Sequence, residues 1–154
     1  MAVEVDHASP YDAARMYSAI VVGTDGSETA REAVRQATRL AATVGARIEL
    51  VSAYEPVPGS GSEGWSVSPR DEVERALREM AEEIATAGVE VTTYARQGDP
   101  AAALLDVAEE RRADLIVVGN KGMTGADRFL LGSVPNKVTH HAPCSVLVIR
   151  VGTD

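Results

Sequence analysis

The chain has 154 residues, 45% of them hydrophobic and 25% charged, with a formal charge of −8. That length fits one domain with a real core, burying roughly 70% of the surface the unfolded chain exposes, and the acidic balance argues against non-specific attraction to DNA, RNA or anionic lipid. No apolar run approaches the roughly 18 residues of a membrane span, and the N-terminus lacks the basic-then-apolar layout of a signal peptide, so the cytoplasm is the expected compartment.

In chain order, residues 1–16 show no period and read as a mobile N-terminal arm ahead of a single domain over 17–151. Ala19-Ile20-Val21-Val22 reads as a buried strand, closed by Gly23-Thr24-Asp25-Gly26-Ser27. Ser27 to Val44 follows as an amphipathic helix, with Ala30, Ala33, Val34, Ala37, Leu40 and Ala41 at helical spacing. Ile48 to Val51 is a second strand. Glu55 to Pro69 has Gly, Ser and Pro at more than half its positions and reads as a loop inside the domain, its lone Trp65 tucked against the body or a neighbouring subunit. A helix over Asp71 to Ala87 carries Val73, Leu77, Met80 and Ile84 on one stripe and leaves Glu72, Glu74, Glu79, Glu82 and Glu83 as a solvated face.

Val89 to Tyr94 is a weaker, alternating strand, as expected near a sheet edge. After the turn at Gly98, Pro100 to Arg112 reads as a helix and Leu115 to Val118 as the next core strand. A short helix from Val134 to His141 tolerates Pro135 in its first turn, and its terminal His140 and His141 suit the helix dipole better than catalysis. Val146 to Ile149 closes the sheet. The single Cys144 excludes an internal disulfide, reads as a small buried residue, and forms no metal-ligand cluster with the three scattered histidines. Strands alternating with helices need right-handed crossovers, so the fold class is α/β: a single-domain, Rossmann-like open parallel five-stranded sheet with helices on both faces.

In such a sheet, ligands bind beyond the C-terminal strand ends, where strand order reverses. The glycines gather there: Gly23 after the first strand, then Gly119, Gly122, Gly125 and Gly132 after the fourth. Gly119 and Gly122 would form a turn whose N–H groups hold phosphate oxygens, and Gly132-Ser133-Val134 would add the donors of a helix N-terminus. An acidic protein could thereby hold an anion without a basic patch. Neither GxxxxGK[ST] nor a GxGxxG after the first strand is present, which excludes the P-loop and the dinucleotide fingerprint.

What stands instead, Gly119-x2-Gly122-x9-Gly132-Ser133, resembles the nucleotide-binding motif of the universal stress protein family. The resemblance runs from about Tyr17 to Arg150 and includes IVVGTDGSETAREAV, the turn Gly98-Asp99-Pro100, ADLIVVGNKG and LLGSVPNKVTHHAPCSVLVIR. It implies a five-stranded parallel sheet, a homodimer, and a site for ATP with Mg²⁺. Carried over by position, Gly23, Thr24 and Asp25 lie beside the ribose and phosphates, with Asp25 the Mg²⁺ or ribose contact, and Ala53 offers backbone groups to the adenine. Gly119, Asn120, Lys121, Gly122 and Met123 would line the triphosphate, together with Gly132, Ser133 and Val134. Asn120 stands where the family often has Ser or Thr. Lys121 reads equally as a phosphate partner or a solvated loop lysine, Asp25 also as a helix cap, and Ser133 as an N-cap.

No nucleophile stands beside a base and no carboxylates pair in a shared motif, so the sequence reads as a regulatory nucleotide-binding module with at most slow ATP hydrolysis, and the resemblance implies that it serves a stress response. A cyclic AMP-binding member of the family, a nucleotidyl-transfer or hydrolase enzyme on the same scaffold, and an interaction module without nucleotide are the alternatives. The last strand, apolar and expected at a sheet edge, is the expected dimer contact.

Overall fold

The computed structural model describes residues 16–56, 69–120 and 132–150. The expected N-terminal arm, Trp65 with most of its loop, and Lys121, Gly122, Met123 and Gly125 lie outside the described residues. Among the described residues, five strands, β1 (Ala19–Gly23), β2 (Arg47–Tyr54), β3 (Val91–Gln97), β4 (Leu115–Gly119) and β5 (Ser145–Ile149), alternate with four helices, α1 (Glu28–Val44), α2 (Pro69–Thr86), α3 (Pro100–Glu110) and α4 (Ser133–His141). All strand pairs are parallel, in the order β3-β2-β1-β4-β5. The chain winds outward from β1 through β2 to β3, then returns to β1's other side for β4 and β5. The switch point therefore falls between β1 and β4.

Successive strand residues face opposite sides, and each side has its own core. Ile20, Val22, Ile48, Leu50 and Val117 pack under α1 and α2 against Val34, Ala37, Leu77 and Ile84. Val21, Val51, Ile116 and Val118 pack under α3 and α4 against Leu104, Val107 and Val138. Burial on both faces explains why β1 and β4 are apolar without interruption.

Several boundaries depart from expectation for physical reasons. Ser27 caps α1 by accepting from the Ala30 N–H at 3.2 Å, so Asp25 is not the helix cap. Gly132 occupies the N-cap of α4, which places Ser133 inside the first turn. The third strand runs from Val91 to Gln97, two residues later at its start than Val89 and three later at its end than Tyr94, because β2 extends to Tyr54 and sets the register Ile48↔Val91 through Tyr54↔Gln97. Cys144 is half-buried against the α3–α4 side of the sheet, and burial pushes its thiol above the ordinary cysteine range.

Candidate nucleotide site

The crevice is built from two strand exits that the β1–β4 pairing sets side by side. On the β1 side, Gly23 and Thr24 are buried, and the loop to α1 is fixed by bonds to its own backbone. Thr24 Oγ1 accepts from the Gly26 N–H at 3.1 Å, and Asp25 Oδ1 accepts from the Ser27 N–H at 2.9 Å. Gly26 has φ +82°, the left-handed backbone that lets so short a chain turn into a helix. Asp25 is exposed at the tip.

On the β4 side, the Asn120 N–H donates to the Ile149 carbonyl at 2.8 Å, and the Gly132 N–H donates to the Asn120 carbonyl at 3.0 Å. This second bond ties the end of the motif back to its beginning: the segment that leaves the sheet at Gly119 re-enters beside it at Gly132. The N-terminus of α4 thus stands over the β4 exit, with no side-chain cap on its first turn. Uncapped N–H groups at a helix start, together with the helix dipole, favour an anion.

A hollow of about 20 Å³ lies at the switch point, bounded by Gly23, Thr29, Gly119 and Val134. A larger one of about 210 Å³ lies behind the β1 exit loop, between Thr24, Asp25 and Ser52 on one side and Val73, Ala76 and Met80 of α2 on the other. The cation Lys137 on α4 is held 3.6 Å from Asp99, the N-cap of α3, so backbone donors supply the positive potential that the described part of the crevice offers.

Ala53 reaches the same crevice from β2. The Arg47 N–H donates toward β1, at Ser18, and the Ile48 N–H donates toward β3, at Glu90. Strand alternation carried along β2 directs the N–H and carbonyl of Ala53 to the β1 side, where β1 has already ended at Gly23. Gly23, Thr24, Asp25, Ala53, Gly119, Asn120, Gly132, Ser133 and Val134 are thus gathered at one end of the sheet, at the exits of β1, β2 and β4 and the start of α4. Ser52, which the sequence reading did not single out, lies among them: its hydroxyl donates to the Thr24 carbonyl at 2.7 Å.

Among the described residues no three His, Cys, Asp or Glu side chains cluster to hold a metal, and no helix is long and apolar enough to cross a membrane. Asp25 is the carboxylate on the β1 exit loop, and Glu72 of α2 lines the hollow behind that loop. Such a donor suits Mg²⁺, which is held through one or two carboxylates with ligand phosphates completing the shell.

Strand order and crevice define a doubly wound, Rossmann-like α/β protein whose glycine-lined opening lies at the β1–β4 switch point. A family model described as "Universal stress protein family" matches residues 16–150. The chain is 39% identical over 137 residues to a Thermus aquaticus universal stress protein, covering 88% of this chain and 100% of that one. It is 36% identical over 143 residues to universal stress protein MJ0531 of Methanocaldococcus jannaschii, covering 88% and 83%. Among solved structures it resembles a universal stress protein in complex with cAMP, with a TM-score of 0.67 and 34% identity over 86% of this chain and 96% of that one. The chain belongs to the universal stress protein family.

Proposed function

We propose that the chain is a regulatory adenine-nucleotide-binding module that takes ATP with Mg²⁺. The observation that carries this reading is the 3.0 Å bond from the Gly132 N–H to the Asn120 carbonyl, which joins the two ends of the glycine motif at the switch point. The triphosphate lies against the Gly119 turn and the uncapped start of α4, with Asn120, Lys121, Gly122 and Met123 from the motif loop and Ser133 and Val134 from the helix. The ribose lies beside Gly23, Thr24 and Asp25, and the base against the backbone of Ala53. Asp25 and phosphate oxygens hold the cation. At most slow hydrolysis accompanies binding. Two chains pair as a homodimer through β5, an edge strand whose Leu147 is 39% exposed.

Cyclic AMP is the second reading, supported by the 34% identical relative solved in complex with it. It uses the same nucleoside contacts and leaves the glycine turn less occupied. Calorimetric titration separates the two. ATP with Mg²⁺ is expected to bind at micromolar Kd, to weaken when Mg²⁺ is chelated, and to lose most of its affinity in Asp25→Ala. Tighter binding of cyclic AMP, indifferent to Mg²⁺, selects the second reading. Absence of binding by ATP, cyclic AMP and adenosine alike refutes both.

A further inference from the structure

Parallel pairing of β1 with β2 follows a regular ladder up to Gly23↔Val51, and the Thr24 N–H extends it by donating to the Val51 carbonyl at 2.9 Å. In a parallel ladder, the residue whose N–H bonds one partner carbonyl offers its own carbonyl to the N–H two residues further along the partner strand. For Thr24 that donor would be Ala53. The structure breaks the pattern there: the Thr24 carbonyl accepts from the Ser52 hydroxyl instead, at 2.7 Å, with both residues buried. No bond from the Ala53 N–H to Thr24 accompanies it.

We infer that Ser52 is a positioning residue for the base of the nucleotide: its hydroxyl occupies the Thr24 carbonyl in place of the Ala53 N–H and so leaves that N–H facing the crevice for the ligand. The inference rests on the nucleotide reading above. A buried carbonyl needs a donor, and a strand that simply continued its ladder would spend the Ala53 amide on it. Ser52 meets the same demand from a side chain. The Thr24 carbonyl is satisfied, β1 can turn away into the Asp25 loop, and the edge of β2 beyond Val51 keeps a donor and an acceptor, both on Ala53, for a planar heterocycle. The arrangement also fixes the distance between the Asp25 loop and Ala53, so the ribose and base contacts move as one unit.

Three variants test this. In Ser52→Ala the orphaned Thr24 carbonyl recaptures the Ala53 N–H, so adenosine and ATP are each expected to bind about tenfold more weakly, ~1.4 kcal/mol, while inorganic triphosphate binds as it does to the parent. Ser52→Thr keeps the hydroxyl and should restore nucleoside affinity. Ile84→Val removes a buried methylene at the far end of α2, controls for general loss of stability, and should leave adenosine affinity unchanged. Amide exchange followed by NMR reads the mechanism without relying on affinity. The Ala53 amide should exchange fast in the ligand-free parent and become protected in ligand-free Ser52→Ala. Equal adenosine affinity in parent and Ser52→Ala, or an Ala53 amide already protected in the ligand-free parent, overturns the inference. A parent that binds neither adenosine nor ATP overturns the nucleotide reading instead, whatever the exchange experiment reports about the ladder.

Discussion

Glu49 lies in the middle of β2 with no solvent exposure, a carboxylate in the core face beneath α3. Its Oε1 accepts from Arg47 Nε at 3.1 Å and Arg111 Nε at 3.4 Å, and its Oε2 accepts from the Tyr94 hydroxyl at 2.8 Å. Arg47 also donates through Nη2 to the Arg111 carbonyl at 3.0 Å, so the end of α3 is tied to the sheet by both its backbone and its guanidinium. Removing one partner of a buried pair costs about 3–5 kcal/mol when the remaining charge stays buried. Here the Arg47 and Arg111 side chains are 33% and 45% exposed and can regain water, which places Glu49→Ala at the lower end, about 3 kcal/mol. At roughly 2–4 °C per kcal/mol for a domain of this size, the melting temperature should fall by about 6–12 °C. Urea unfolding gives the same quantity independently. Glu49→Gln keeps the volume and one acceptor, and about 1–2 kcal/mol of loss is expected. A Glu49→Ala variant within about 1 kcal/mol of the parent would refute the reasoning, because it would mean the two guanidiniums never depended on the carboxylate.

Burial and the bond to Glu49 push the Tyr94 phenol from 10.0 up to about 12. A folded-state value above the unfolded one means the contribution is fully present below about pH 10 and is lost as pH rises toward 12. The stability difference between parent and Tyr94→Phe, followed by urea unfolding from pH 9 upward, should therefore drift against the parent in that window, and a constant difference would contradict it. Leu147→Glu should convert a dimer to a monomer in light scattering at micromolar concentration; a parent that is already monomeric removes β5 as the contact. Gly122→Ala should weaken ATP binding by two to four orders of magnitude, as expected for roughly two lost donors to charged oxygen, with Gly125→Ala as a near-neutral control. Parental affinity in both would mean those glycines only shape a turn.

The sheet was legible because parallel strands buried on two faces must be apolar throughout, and the β1 and β4 runs are. The clustering of β1, β2 and β4 exits followed from that topology alone. What sequence could not supply were contacts that join distant segments. Glu49 sits between Ile48 and Leu50 and looks like an outward residue of a half-exposed strand; only the meeting of Arg47, Arg111 and Tyr94 makes its burial tolerable. The full extent of β3 is not legible in the sequence because an edge strand ending in Tyr-Ala-Arg-Gln carries little apolar signal, while its length is dictated by β2. Ser52 carries little signal for a related reason. A serine at a strand end has many ordinary uses, and its partner carbonyl lies 28 residues earlier.

The pairing of β1 with β4 joins Ile20 to Leu115 and Val22 to Val117, about ninety-five positions apart along the chain. Closing so long a loop is a slow step in folding, and the first three strands can associate among themselves before it occurs. During synthesis β1, β2 and β3 are complete while the crevice still lacks one wall. A ligand that spans Gly23 and Gly119 can recognise only the finished seam, and at a concentration of 100 times its Kd it would hold that seam closed by about 2.7 kcal/mol. The more of such a ligand is present, the less often the sheet would part at its centre.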